Sequence, residues 1–334
     1  MDELLTNLLG VDRANRLLST VLLPAPLVGE EQPRGLVSRA GVATALSLVL
    51  FEDLLHRVPT GERYVLARRA LGQRVVYDHG AVRTVDWHHN GRLPAGVEAL
   101  RRVLVPLGYE EVGTYPLDRI HMTGKVFTHR ELPDDVPQYF VSELHVDRLP
   151  VEAQQAVTRV VGDSVDPLGP EAQALLDELA DRGWLPTVAA ARLVPALAAC
   201  FGRHHGDPRL HDYELLLEHS AEMAWIATEG NAFNHATDRV ADVDALAAEL
   251  RDGWPLKDEI ERSRSGRVRQ TAFRADRVTR RFRVAGEDDV AATVEREVPG
   301  SFFELISRDR RPDGPGLDLT FDAGNAQGIF SMTR

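Results

Sequence analysis

Tyr77-Asp78-His79-Gly80-Ala81-Val82-Arg83-Thr84-Val85 and, far downstream, Asn231-Ala-Phe-Asn-His235-Ala-Thr-Asp-Arg239-Val240 carry the same spacing, His-x-x-x-Arg. On a strand, positions four apart face one side, with Cα atoms roughly 13 Å apart. Each segment is therefore expected to present an imidazole and a guanidinium from a single face. Two such strands, from two similar modules, could aim His79 and His235 at one point. A third donor is suggested by Ser301-Phe302-Phe303-Glu304-Leu305-Ile306. By period two, Phe302, Glu304 and Ile306 share a face, which sets the carboxylate among large apolar groups. A buried carboxylate is costly unless paired or metal-bound. The competing reading is an edge strand with Glu304 turned to solvent. Two His and one Glu are the ligand set of a facial-triad iron site, which keeps open positions on the metal.

Working outward, each histidine strand opens a similar series. Arg74–Asp86 is rich in valine and reads as a strand, and Ala95–Leu107 as a helix with Gly108 as its stop. Three β-like segments follow, near Glu111–Tyr115, His121–Thr128 and Gln138–Val146. After His235 come a helix at Val243–Leu250 and β-like Thr271–Arg274, Thr279–Val284 and Ser301–Ser307. Two copies of strand, helix and three strands suggest a duplicated module. Glu143 and His145 hold, in the first copy, the place that Glu304 has in the second. Neither is expected to ligate, because a fourth protein ligand would close one of the positions that a facial-triad site keeps open.

The remainder reads as helical. Residues 1–57 carry leucines at helical spacing, interrupted by Pro24, Pro26, Pro33 and Gly35, and Pro59-Thr60-Gly61 marks the next break. Between the modules, helices are expected from Pro150 to Val161, Glu171 to Arg182, Leu193 to Phe201 and Tyr213 to Trp225. This block reads as an insertion covering the site. The division is thus 1–60 N-terminal helices, 61–149 first module, 150–225 helical insertion and 226–334 second module with tail, an α+β chain.

Composition narrows the function classes. With 39 basic and 51 acidic residues the net charge is −12, which argues against nonspecific nucleic-acid binding. A single cysteine, Cys200, rules out an intrachain disulfide and fits a reducing cytoplasm. The opening Met-Asp-Glu-Leu-Leu lacks the basic region of a signal peptide, and no apolar run is long enough to span a membrane. A cytoplasmic protein without membrane or nucleic-acid partners is the expectation. There is no Gly-x-Gly-x-x-Gly, Walker loop or His-Glu-x-x-His, so dinucleotide, nucleotide and metalloprotease readings lack support. Gly162-Asp163-Ser164 lies in a Pro/Gly loop without the turn of a hydrolase nucleophile. His88-His89 and His204-His205 sit in polar, loop-like contexts. Arg262–Arg269 reads as a solvated basic loop whose arginines could screen an acidic substrate.

Taken together, Tyr77–Val85, Tyr139–Leu149, Asn234–Val240, Gln270-Thr271, Ser301–Ile306 and the tail Phe321–Phe330 resemble the 2-oxoadipate dioxygenase/decarboxylase family. That family is related to the vicinal oxygen chelate enzymes, built from paired βαβββ modules. The resemblance runs from about residue 60 to the C-terminus. It implies a vicinal-oxygen-chelate-like β-core with N-terminal and inserted helices. It also implies Fe(II) held by His79, His235 and Glu304, with O2 and a small 2-oxo acid as reactants. Arg83 would grip a substrate carboxylate, with Arg239 the next candidate, and Ser142, Gln270 and Thr271 would belong to the substrate side. One departure stands out: the family's second motif usually reads His-x-Thr-Pro-Arg, and here it is His235-Ala236-Thr237-Asp238-Arg239. Two rivals share the scaffold: an oxygenase for a different 2-oxo or amino-acid-derived substrate, and a binding module without turnover.

Overall fold

A computed structural model describes residues 1–28, 35–285 and 291–321. The tail segment Phe321–Phe330 therefore lies, beyond Phe321, outside the described residues. The chain opens with α1 (Asp2–Leu9), α2 (Val11–Thr20), α3 (Ala25–Val28), β1 (Leu36–Ser38), α4 (Arg39–Arg57) and α5 (Pro59–Ala70). Ser38 caps α4, its Oγ accepting from the Gly41 amide at 3.1 Å. The expected break at Pro59-Thr60-Gly61 is instead the first turn of α5. Proline fits there because its missing N–H would have no helical partner. A Cβ on Gly61 would meet Phe303 Cδ2 at 2.9 Å, so glycine lets α5 lie directly on that ring.

The first half continues with β2 (Tyr77–Asp86), α6 (Glu98–Leu104), β3 (Tyr109–Leu117), β4 (Met122–His129) and β5 (Gln138–His145). The insertion holds α7 (Val151–Val161), α8 (Pro170–Arg182), β6 (Trp184–Pro186), α9 (Thr187–Ala198), α10 (Leu210–His219) and α11 (Ala221–Glu229). The second half comprises β7 (Phe233–Arg239), α12 (Val243–Leu250), β8 (Glu261–Arg262), β9 (Val268–Ala272), β10 (Arg277–Ala285), β11 (Ala291–Pro299) and β12 (Phe302–Arg308). The stretch Tyr213–Trp225, expected as one helix, is split at Ser220, whose hydroxyl caps α11 by accepting from the Met223 amide.

Eight strands form one sheet in the order β3-β4-β5-β2-β7-β12-β9-β8. The order is symmetric about its centre. β2 and β5 are parallel, β7 and β12 are parallel, and β2 meets β7 antiparallel. Each half is a βαβββ unit, with α6 and α12 as the crossovers that a parallel pair requires. One detail differs from the sequence expectation. Thr279–Val284 does not join this sheet; β10 pairs with β11 in a separate hairpin, and the two-residue β8 takes the vacated place. The arginines and Phe282 of β10 find their partners outside the sheet. The hairpin docks on the insertion through Arg280–Glu229 and Arg281–Asp207 ion pairs and the Phe282–Tyr213 ring contact at 4.8 Å.

The sheet carries a different core on each face. Val82, Tyr139, Val141, Ala236, Phe303 and Leu305 pack under α4, α6, α8, α9 and α12. Ala81, Val85, Val126, Phe140 and Leu144 face α7, α10 and α11. The insertion is thus divided between the two faces, and only α7, α10 and α11 cover the side on which the polar centre lies. No helix among the described residues is long and apolar enough to cross a membrane.

Candidate metal centre

Strand alternation alone would put Tyr77 and His79 on the same face, and likewise Phe233 and His235. Two β-bulges prevent it. Tyr77 pairs with Asp238 and His79 with Thr237, which leaves Asp78 without a counterpart on β7. Ala81 pairs with His235 and Val82 with Phe233, which leaves Asn234 without one on β2. An extra residue on one strand reverses the phase of its side chains and re-aims them. Tyr77 and Phe233 therefore enter the helix-covered core, while His79 and His235 point to the other face. Glu304 arrives beside them because β12 pairs with β7 with Glu304 opposite Thr237.

The three donors form a compact triangle. His79 Nε2 lies 3.4 Å from His235 Nε2, and Glu304 Oε2 lies 3.3 Å from the first and 3.2 Å from the second. For metal–ligand bonds of about 2.1 Å, neighbouring ligands would be separated by about 3.0 Å on an octahedron and about 3.4 Å on a tetrahedron. All three residues are buried, Glu304 completely. They are the group of potential metal ligands that the described residues bring together, and Glu143 and His145 are not in it. Glu143 instead accepts from the Val97 amide, and His145 is held between Thr123 and Asp86.

Neighbouring groups set the orientation of each donor. Asp78 Oδ1 is 2.8 Å from His79 Nδ1, so the imidazole donates there and turns the Nε2 lone pair to the centre. Asp78 is itself gripped by Arg308, whose Nε reaches both carboxylate oxygens at 3.0 Å and whose Nη2 reaches Oδ1 at 2.9 Å. Thr237 Oγ1 donates to Glu304 Oε2 at 2.8 Å. The His235 ring lies 4.8 Å from Phe302, and Phe321 stands edge-on to His79 at 5.0 Å. Glu304 Oε1, His235 Nδ1 and Asn234 Oδ1 are buried without a hydrogen-bond partner among the described residues. Such orphaned atoms are costly in a site holding only protein.

The charges follow from this packing. Burial opposes ionisation of Asp78, but Arg308 and His79 outweigh it and hold the carboxyl well below the usual carboxylate range. Burial likewise opposes the charge on Glu304 and is overcome by His235, His79 and the Thr237 hydroxyl. Burial pushes His235 down to about 3, with His79 and Arg83 adding to the effect, so this imidazole is neutral. His79 goes the other way: burial is outweighed by its bonds to Asp78 and Glu304. A cation in the triangle would compete with protonation of His79, since imidazole ligates only when neutral.

Comparison with known proteins agrees with this architecture. The sequence profile of the 2-oxoadipate dioxygenase/decarboxylase family matches residues 48–304. The chain belongs to that family. One family relative, the chloroplastic/amyloplastic 2-oxoadipate dioxygenase/decarboxylase of Oryza sativa subsp. japonica, is 23% identical over 314 residues, spanning 84% of this chain and 75% of the relative. A crystal structure from Ralstonia eutropha JMP134, described as a glyoxalase superfamily protein, is 52% identical with a TM-score of 0.91, covering 97% of this chain and 98% of that one. The rice hydroxyglutarate synthase in complex with 2-oxoadipate superposes with a TM-score of 0.63 at 20% identity, over 94% of this chain and 97% of that one. These likenesses identify the fold as that of the glyoxalase, or vicinal oxygen chelate, superfamily.

The other residues singled out from the sequence of this family member fall in three groups. Arg83 and Ser142 pair across β2 and β5 on the face of the centre. Arg83 is fully buried, with its guanidinium 4.8 Å from the Trp225 ring and its charge felt by His235. Gln270 shares this face through its pairing with Ile306, and donates to Glu261. Arg239 is one layer out, 3.6 Å from Asp78 and bonded to the Asp134 carbonyl. Thr271 is not brought to the centre: it pairs with Leu305, so it occupies the opposite face, and its hydroxyl donates to the Glu259 carbonyl. Asp238 also faces away, accepting from Tyr64 Oη at 2.7 Å and the Val76 amide at 2.9 Å. The departure from the family motif at this position thus leaves the donor face untouched.

Asp78, Thr237 and Arg308 escaped the sequence reading. A signal did exist. Both histidines follow an aromatic residue and an Asx, as Tyr77-Asp78-His79 and Phe233-Asn234-His235. The spacing His-x-x-x-Arg also recurs on the third strand as Glu304-x-x-x-Arg308.

Proposed function

We propose that this chain is a non-haem Fe(II)-dependent oxygenase that oxidatively decarboxylates and hydroxylates a 2-oxo acid of the 2-oxoadipate kind. For 2-oxoadipate itself the balance is substrate plus O2 giving 2-hydroxyglutarate plus CO2. The observation that carries this reading is the buried triangle of His79 Nε2, His235 Nε2 and Glu304 Oε2, with edges of 3.2 to 3.4 Å. Two imidazoles and one carboxylate on a single face are the donor set of non-haem iron oxygenases. The orphaned Glu304 Oε1 and His235 Nδ1, and the carboxylate set against two imidazoles, fit a site built for a cation. Family membership supports the reaction class, and the rice structure carries 2-oxoadipate.

Bound Fe(II) would supply chelation of the keto and carboxylate oxygens and the electrons that activate O2. The protein supplies the rest. Asp78 keeps the His79 lone pair on the centre, and Thr237 fixes the carboxylate of Glu304. Phe302 and Phe321, against the two imidazole rings, keep water away from the reacting atoms. Arg83, its guanidinium 4.8 Å from the Trp225 ring, would grip a substrate carboxylate through two parallel hydrogen bonds. Ser142 opposite it and Gln270 on the far side would complete the substrate wall.

The test is anaerobic reconstitution with Fe(II), followed by oxygen uptake and CO2 release across a panel of 2-oxo acids. One CO2 per O2 is expected, with the highest kcat/KM among dicarboxylic 2-oxo acids. Iron retention without CO2 release from any member of the panel would overturn the reading.

A further inference from the structure

Arg308 lies four residues beyond Glu304 on β12 and shares its face. Its side chain is wholly buried, and its donors reach Asp78, the carbonyls of the 318–320 segment and, from Nη2 at 3.4 Å, Gln138 Oε1. Nε and Nη2 hold the carboxylate of Asp78, which in turn accepts the His79 Nδ1–H. Nη1 donates to the carbonyls of Asp318 at 3.0 Å and Thr320 at 3.2 Å. The next residue, Phe321, sets its ring 5.1 Å from the Arg308 guanidinium, 5.0 Å from His79 and 5.2 Å from Phe140. One guanidinium therefore links a metal-facing imidazole to the segment that covers it.

We propose that Arg308 is a positioning residue for metal binding: it fixes Asp78 so that His79 keeps one tautomer, and it seats residues 318–321 so that Phe321 closes the His79 side of the centre. The inference rests on His79 being a metal ligand. The physical reason lies in the geometry of Asp78. As the residue bulged out of β2, it has no ladder partner on β7, and its side chain is oriented by what grips it. The fork of Arg308 makes three bonds to it, whereas Arg239 stands at 3.6 Å, beyond hydrogen-bond reach. Without Arg308 the carboxylate is free to swing off the imidazole. His79 could then place its proton on Nε2, aiming an N–H instead of a lone pair at the metal. Arginine suits the task because its planar donors point in several fixed directions at once.

The experiment compares wild type, His79→Ala, Arg308→Gln, Asp78→Asn and the double variant Asp78→Asn/Arg308→Gln in the full chain. Co(II) titration under argon, followed by its visible absorption, reports metal affinity without turnover. Amide exchange reports the seating of residues 318–321. Arg308→Gln should weaken Co(II) binding about 10- to 100-fold, the range seen when groups that orient metal ligands are lost. The double variant should bind no more weakly than the weaker single variant, because Arg308 acts through Asp78. Exchange at 318–321 should quicken when Arg308 is replaced and stay unchanged in Asp78→Asn. Wild-type Co(II) affinity in Arg308→Gln, or losses that simply multiply in the double variant, would overturn the inference. Should Arg308→Gln fail to fold, the double variant, which removes both members of the Asp78–Arg308 pair, is compared with Asp78→Asn: quicker exchange at 318–321 supports the inference and unchanged exchange refutes it. His79→Ala separates the two levels, since Co(II) binding unchanged by that variant removes the metal-ligand reading itself.

Discussion

Replacing Thr237 by Val would test the centre at its least obvious member. Thr237 is completely buried, and Val preserves its branched shape while removing only the hydroxyl. That hydroxyl lies 2.8 Å from Glu304 Oε2 and 3.2 Å from His79 Nε2. It has one proton to give, and the shorter contact to the charged oxygen should win it. A hydrogen bond to a charged group contributes about 1.5–3 kcal/mol. If that bond is what holds Glu304 in its ligating pose, its loss translates into a metal affinity weaker by about tenfold to about 150-fold. The assay is Co(II) or Fe(II) titration of metal-free Thr237→Val under argon, with Thr237→Ser as the control that restores the donor. Val should weaken binding within this range, and Ser should return most of it. Unchanged or tighter binding by Thr237→Val would refute the reasoning. It would mean that the hydroxyl donates to His79 Nε2 instead and competes with the metal for that lone pair.

His79→Ala, His235→Ala and Glu304→Ala should each lose stoichiometric iron while keeping the circular dichroism of a folded chain; full iron content by elemental analysis in any of them would remove that residue from the donor set. Arg83→Lys should lower kcat/KM for a 2-oxo dicarboxylate more than tenfold with iron content unchanged, because a lysine cannot reproduce the two-bond grip of a guanidinium. Wild-type efficiency in that variant would send the search for the clamp to Arg239. Asp238 offers a stability test by pH: burial outweighs its bonds to Tyr64 and Val76 and pushes its carboxyl up to about 6. The folded chain then binds this proton more tightly than the unfolded one, whose carboxyl titrates near 4, so the group destabilises the fold as pH rises through about 4 to 6. Asp238→Asn should accordingly gain stability relative to wild type between pH 4.5 and 7 in urea unfolding, and a difference that does not vary with pH would contradict the assignment.

The sequence by itself determined the elements and the donor types. The valine-rich strands, the amphipathic helices and the repeated strand–helix–strands order depend on local periodicity, which any window of the chain displays. His79, His235 and Glu304 stand out because their spacing and apolar setting are equally local. Tertiary structure alone decided which way side chains point. Strand alternation would send Tyr77 and His79 to one face, and only the pairing of β2 with β7, some 160 residues apart in the chain, creates the bulges that separate them. The same pairing leaves Asp78 beside His79 and brings Thr237 to Glu304, contacts that no short window contains. Thr271 and Asp238 show the converse, since their register turns them away from a centre their sequence neighbours build. The hairpin of β10 and β11 left the sheet for a comparable reason: its partners Glu229 and Asp207 lie in the insertion, at a distance along the chain that periodicity does not reach.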